Sequence, residues 1–408
     1  MAIPRTRPGN YPAILSYGFR PFFLLGALHA GVSILFWLPV FYGLLDTASS
    51  FAPVDWHIHE MLFGYLAAIV TGFLLTAIPN WTGRLPVQGA PLLGLALLWL
   101  AGRLAVFFSV QIGWVAAAVI DSAFLLAVAA SAATEICVGR NWRNLKVLAP
   151  VSVLFAANLL FHIEAHYQGL SDVSRRLGIG AAILLITIIG GRIIPSFTRN
   201  WLVRENPGRL PVPFARFDAV AIGLSAVALV AWAFLPDRSG TGAMLIVAAL
   251  FNGARLARWA GDRTLRDPLV FILHLAYAFV PIGLFLAGLA SIFPADIPVA
   301  AAVHALSAGA IGCMTLAVMV RATLGHTGRE LHAGIDGCMV FGGVLLAAIL
   351  RICAAFHPEQ AILMEASAGS WALAFLGYSA FFGGMLLRRR LRAGEGEGRM
   401  FGKLRSTG

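Results

Sequence analysis

Two imidazoles and a carboxylate stand together in Trp56-His57-Ile58-His59-Glu60-Met61, at the mouth of an apolar run over residues 57 to 79. Hydrocarbon does not solvate such groups, so inside a membrane they need partners, and a metal ion or heme iron is the usual partner for histidine. His162, His166, His274 and His304 repeat the pattern within or at the rims of other apolar segments. Single membrane histidines often serve as helix–helix hydrogen-bonding groups. Five that share one membrane level are better explained by metal or heme ligation.

The elements that position these residues follow from composition. The chain has 408 residues, of which 59% are hydrophobic and 12% charged, whereas soluble chains carry roughly 25% charged residues. A spanning helix needs about 20 apolar residues. Twelve such runs are present, at 22–45, 57–79, 90–109, 112–137, 147–168, 177–198, 215–235, 240–260, 268–293, 298–321, 333–354 and 362–387. They predict an all-α polytopic membrane bundle of twelve transmembrane helices. Residues 1–392 read as one transmembrane domain, and residues 393–408 as a flexible basic cytoplasmic tail.

The net charge of +11 is distributed as topology. Alternate inter-helix segments hold Arg84; Arg140, Arg143 and Lys146; Arg199, Arg204, Arg209 and Arg216; Arg255, Arg258, Arg263 and Arg266; and Arg321 and Arg329. The C-terminal segment adds Arg388, Arg389, Arg390 and Arg392, while the opposite side offers only Arg175, Arg176 and Arg238. The positive-inside rule then places both termini in the cytoplasm, and no nucleic-acid partner is expected. Cys137, Cys313, Cys338 and Cys353 lack CxxC spacing, and there is no CxxCH. Any heme is therefore held noncovalently.

Depth sorts the polar residues. His57 and His59, His162 and His166, and His304 fall near the outer ends of spans two, five and ten. His162 and His166 share a face at i, i+4. His57 and His59, at i, i+2, diverge by about 200° in a regular helix, so they serve two sites unless the helix begins after His57. Arg103 and Arg351 lie in the outer halves of spans three and eleven and need anions, either heme propionates through bidentate pairing or Glu60, Asp121 and Glu164. Toward the cytoplasm lie His274, His326, Arg192 in the run Gly190 to Asn200, and His29. His29 stands alone in an apolar run and reads as structural. His274 and His326, with Arg192, are expected to serve a separate inner-side function, a second heme or a proton path.

The blocks WHIHEMLFGY (Trp56 to Tyr65), AIPNWTGRL (Ala77 to Leu85), FHIE (Phe161 to Glu164), GGRIIPSFTRNW (Gly190 to Trp201), LHLAY (Leu273 to Tyr277) and HALSAGAIGCMTLAVMVRATLGHTGR (His304 to Arg329) resemble the signature segments of the NnrS family. The resemblance covers nearly the whole chain. It implies a twelve-span bacterial inner-membrane protein with heme and copper, associated with denitrification and nitric oxide resistance. It carries His57, His59, Glu60, His162, His274, His304 and His326 over as signature residues. His29 and His166 fall outside the motifs.

Imidazoles suit both heme iron and copper. The expected division gives His59 and His304 to one heme b, with a second heme open. It gives copper to His57 and His162, with His166 as a possible third ligand. Glu60 is the expected proton donor beside the metals, in a site for nitric oxide or another small diatomic ligand that is reached from membrane lipid. Electrons would come from quinol or another donor. Two alternatives compete: a proton-coupled secondary transporter, and a divergent quinol-linked heme-copper oxidase, against which stands the lack of an adjacent His-His pair.

Overall fold

The computed structural model describes residues 10–391, within which the twelve predicted spans are twelve helices. We number them α1 (Phe19–Phe41), α2 (Pro53–Thr82), α3 (Ala90–Phe107), α4 (Trp114–Val138), α5 (Asn144–Gln168), α6 (Asp172–Glu205), α7 (Arg216–Phe234), α8 (Ser239–Arg263), α9 (Pro268–Ile292), α10 (Val299–His326), α11 (Gly334–Phe356) and α12 (Ala361–Leu387). No strand occurs among the described residues. The tail 393–408 and Arg392 lie outside them.

Helix ends follow the apolar runs closely, with α6 the main exception. Pro195 is expected to kink or end it, yet the helix continues to Glu205. Prolines are tolerated in membrane helices where neighbours and local π adjustments satisfy the freed backbone groups. Such an adjustment precedes Pro195 at Ile186–Gly190. Two more π-helical stretches occur, Glu60–Leu66 in α2 and Ala305–Gly312 in α10. Each follows directly on an expected ligand, His59 or His304. π-helical turns are rare and concentrate at functional sites.

Charged groups tie the bundle together. Helix α1 packs along α12, which closes the first helix on the last. Arg20 is buried there and its Nη1 donates to the carbonyl oxygens of Met385 (3.2 Å), Leu386 (2.8 Å) and Arg388 (2.6 Å). The final carbonyls of a helix have no intrahelical partner, and a cation is favourable at that end. Glu164 accepts from the backbone N–H (2.9 Å) and hydroxyl (2.5 Å) of Ser174, so it caps the start of α6 rather than meeting an arginine.

Arg255 corrects the loop reading. It is not a solvated inner-side residue but fully buried, donating through Nε to Asp218 Oδ1 at 2.9 Å and through Nη1 to Thr187 O at 2.8 Å and Tyr277 Oη at 3.0 Å. A buried charge persists where a partner and further hydrogen bonds offset its desolvation. Asp218 on α7 is that partner.

Candidate functional site

The i, i+2 spacing sends His57 and His59 to different surroundings. On one side of α2 lies a polar cluster built from five helices. Arg103 Nη1 from α3 donates to Glu60 Oε1 at 2.8 Å, and its Nη2 donates to Asp121 Oδ1 from α4. Asp121 Oδ2 then lies 3.1 Å from His59 Nε2 and 3.1 Å from His162 Nε2 of α5. Asn158 Oδ1 is 2.9 Å from His59 Nε2, and His29 Nε2 from α1 approaches Glu60 Oε2 at 2.7 Å. One donor atom from each of His59, Asp121 and His162 lies within 4.8 Å of the others, and all three residues are buried.

Two glycines make room for this cluster. A Cβ on Gly64 would stand 2.7 Å from His29 Nε2, 2.8 Å from Arg103 Nη1 and 2.9 Å from Glu60 Oε2. A Cβ on Gly102 would stand 2.9 Å from Asp121 Oδ1 and 3.1 Å from its Cα. Trp99 covers one flank, its indole N–H donating to Gly64 O at 3.0 Å while its ring meets His29 edge-on.

On the other side of α2 is a cavity of about 850 Å³ of non-atom space, part of it open to the surroundings, walled mostly by apolar and aromatic side chains. His57 and His304 both line it, from separate helices, together with Arg351 of α11. His57 stacks on Trp37 with ring centroids 4.3 Å apart, and its Nδ1 is buried without a hydrogen-bond partner. Arg351 has no hydrogen bond or ion pair among the described residues. Ligand pockets are typically apolar concavities carrying a few placed polar groups, and His57, His304 and Arg351 are such groups here.

A family model with the description NnrS protein matches residues 13–390. The chain belongs to the NnrS family. Family membership supports a membrane protein with a nitric oxide-related function. No curated protein matches the chain. In this NnrS protein the block from Trp56 to Tyr65 serves both sites at once, and the block that begins at His304 opens with the π-helical stretch beside the cavity.

The structure groups the expected ligands differently from the sequence. His59 and His304, expected to face one heme, stand apart, with His59 beside His162 and His304 beside His57. The 200° divergence of an i, i+2 pair accounts for this, because it turns His59 toward the polar cluster while His57 faces the cavity that His304 lines. His166 stacks on Trp114 at 4.4 Å and is absent from both sites. Arg103 takes Glu60 and Asp121 as its anions, leaving Arg351 as the arginine open to a further one.

The inner-side residues do not converge. His274 Nδ1 lies 3.1 Å from Val270 O and its Nε2 lies 3.3 Å from Thr198 Oγ1. His326 packs on Tyr17 and Phe19, and Arg192 donates to Asn144 Oδ1 at 3.2 Å. His29, read as a lone structural histidine of the inner half, instead reaches Glu60 in the polar cluster. Sequence reading also missed Asn158, Gly64 and Gly102. For Asn158 the signal was an amide one turn before His162. For the glycines no local signal existed, since the crowding comes from other helices.

Proposed function

We propose that this protein binds nitric oxide at a heme b held between α2 and α10, with copper on the neighbouring His59–His162 pair, in the cytoplasmic membrane of a bacterium. The observation that carries the reading is the pairing of His57 and His304 across one apolar cavity that also holds the unpaired Arg351. His57 Nδ1, buried and unpartnered, is the kind of group that a bound cofactor completes. One of His57 and His304 would then ligate iron, the other standing where the diatomic ligand binds, and Arg351 would receive a propionate. The second set fits copper through its donors, two imidazole nitrogens and a carboxylate oxygen within 4.8 Å. Arg103 in turn holds Asp121 from outside the donor set, as ligating carboxylates are hydrogen-bonded around metal sites.

Heme iron and copper would supply one-electron centres able to take a diatomic ligand. Within that frame the chain's own residues bind and orient. Apolar walls exclude water and admit an uncharged gas. Glu60, whose Oε1 is 3.4 Å from His59 Nδ1, is the group placed to hold a proton near the copper set. Reduction of two nitric oxide molecules to nitrous oxide and water takes up two electrons and two protons, and quinol is the donor class that a membrane offers. A proton-coupled transporter would leave the unpartnered His57 Nδ1 and the unpaired Arg351 of the cavity without a role, which favours the heme-copper reading.

Visible absorption spectra with metal analysis of the purified protein test this. His57→Ala and His304→Ala should remove or convert the heme spectrum with copper retained, and His162→Ala should lower copper with heme retained. Protein that carries neither heme nor copper would sink the reading. Anaerobic nitric oxide consumption with a reduced quinol, no faster than with free heme, would leave binding without turnover.

A further inference from the structure

A second cavity, about 620 Å³ of non-atom space with part of it open to the surroundings, lies between α2, α6 and α10. Its wall runs from Leu66 to Leu74 on α2, from Ala182 to Ile193 on α6 and from Ile311 to Val318 on α10, with no charged or titratable group in the lining. Thr315 carries the only hydroxyl, and that group already bonds the Tyr65 hydroxyl, Ile311 O (2.8 Å) and Gly312 O (2.9 Å). The gap is built in rather than left by loose packing. All three π-helical stretches end in or lie along this wall: Glu60–Leu66, Ile186–Gly190 and Ala305–Gly312.

The partition from the histidine-lined cavity is thin. Ile311 lines both spaces, and Tyr65, which lines the first, bonds Thr315, which lines the second. At 1.5 Å per residue along α10, His304 is about 8 Å from the helix start, Ile311 about 18 Å and Val318 about 28 Å. The second cavity thus spans the middle and inner part of a hydrocarbon core about 30 Å thick. Val70, Phe73, Ile189, Ile193 and Val318 are half-buried on its outer side, so its mouth faces acyl chains, not water.

We propose that this cavity is a binding station and access route for small uncharged diatomic molecules, leading from the hydrocarbon core to the His57–His304 cavity. The inference rests on the reading of that cavity as a ligand-binding heme site. A quinone head group is a poor occupant, because its carbonyl oxygens need donors to replace water and the one hydroxyl present is committed. A gas needs none, and dry apolar cavities bind xenon for the same reason.

The test has an arm that does not depend on heme. Crystals of the purified protein under xenon pressure should show xenon between α2, α6 and α10 in the wild type and none there in Ala182→Phe, which fills the space. In lipid nanodiscs, carbon monoxide recombination with heme after flash photolysis should slow about tenfold in Ile189→Phe and in Val318→Phe, which line this cavity and not the His57–His304 one, a barrier increase of about 1.4 kcal/mol. Val318 stands at the mouth, where added bulk threatens folding least, and an unchanged resting heme spectrum certifies each variant. Unchanged recombination in both variants, or an acyl, detergent or isoprenoid chain in place of xenon, would overturn the route. Absence of heme would defeat the preceding functional reading alone, and xenon occupancy would then decide this one.

Discussion

Gly102→Ala probes how closely α3 and α4 must approach to build the His59–Asp121–His162 set. The added methyl would stand 3.1 Å from Asp121 Cα and 2.9 Å from its Oδ1. The first neighbour is backbone, so relief requires the two helices to part. The second is the oxygen that accepts from Arg103. Overpacking costs about 1–3 kcal/mol, and loosening a charge-assisted hydrogen bond costs about 1.5–3 kcal/mol. Removing a helical glycine returns about 0.5–1 kcal/mol. The expected loss is therefore about 2–5 kcal/mol. Gly94 on the same helix is the control, because a Cβ there meets nothing within 4 Å. Unfolding of both variants in mixed detergent–SDS micelles, followed by circular dichroism and paired with copper analysis, gives the comparison. If Gly102→Ala is as stable as Gly94→Ala and binds as much copper, the close approach is not what assembles the site.

Arg351→Gln should weaken heme retention on dilution, and Arg351→Lys should restore part of it, as read from the heme absorbance per protein after gel filtration. Asp218→Asn strands the buried Arg255 and should cost about 3–5 kcal/mol in SDS unfolding, whereas Asp218→Asn combined with Arg255→Met should cost less than the two single changes added together. His166→Ala should leave both heme and copper content unchanged, because its ring stacks on Trp114 away from both sites. His274→Ala should lower stability by about 1 kcal/mol through the lost bond to Thr198 without changing the heme-to-protein ratio. A drop in that ratio would reinstate a second heme on the inner side.

Helix number and helix ends were legible because they depend on run length and hydropathy, which are local. The sidedness of His57 and His59 was legible as geometry, since a 200° divergence follows from helical pitch alone. Their partners were not. Which neighbours the face of α10 with His304 and the face of α5 with His162 meet depends on how distant helices pack together, which no periodicity in the sequence marks. Arg103 shows a different limit: its need for an anion was plain from its place in an apolar span, but the choice between a cofactor and a carboxylate waited on Asp121 being brought across from α4. His29 was misplaced because depth was counted from the wrong landmark. It lies near the middle of α1, while α2 carries Glu60 inward to meet it.

The bond from Arg20 to the end of α12 has a consequence for synthesis. Arg20 enters the membrane with α1, yet the carbonyl groups that receive its guanidinium, at Met385, Leu386 and Arg388, are translated only after α2 to α11. Until α12 inserts, that cation must be met by water, lipid phosphate or the insertion machinery. A nascent chain that stalls or is truncated before α12 therefore carries an uncompensated charge at α1, a built-in mark of incompleteness available to membrane quality control.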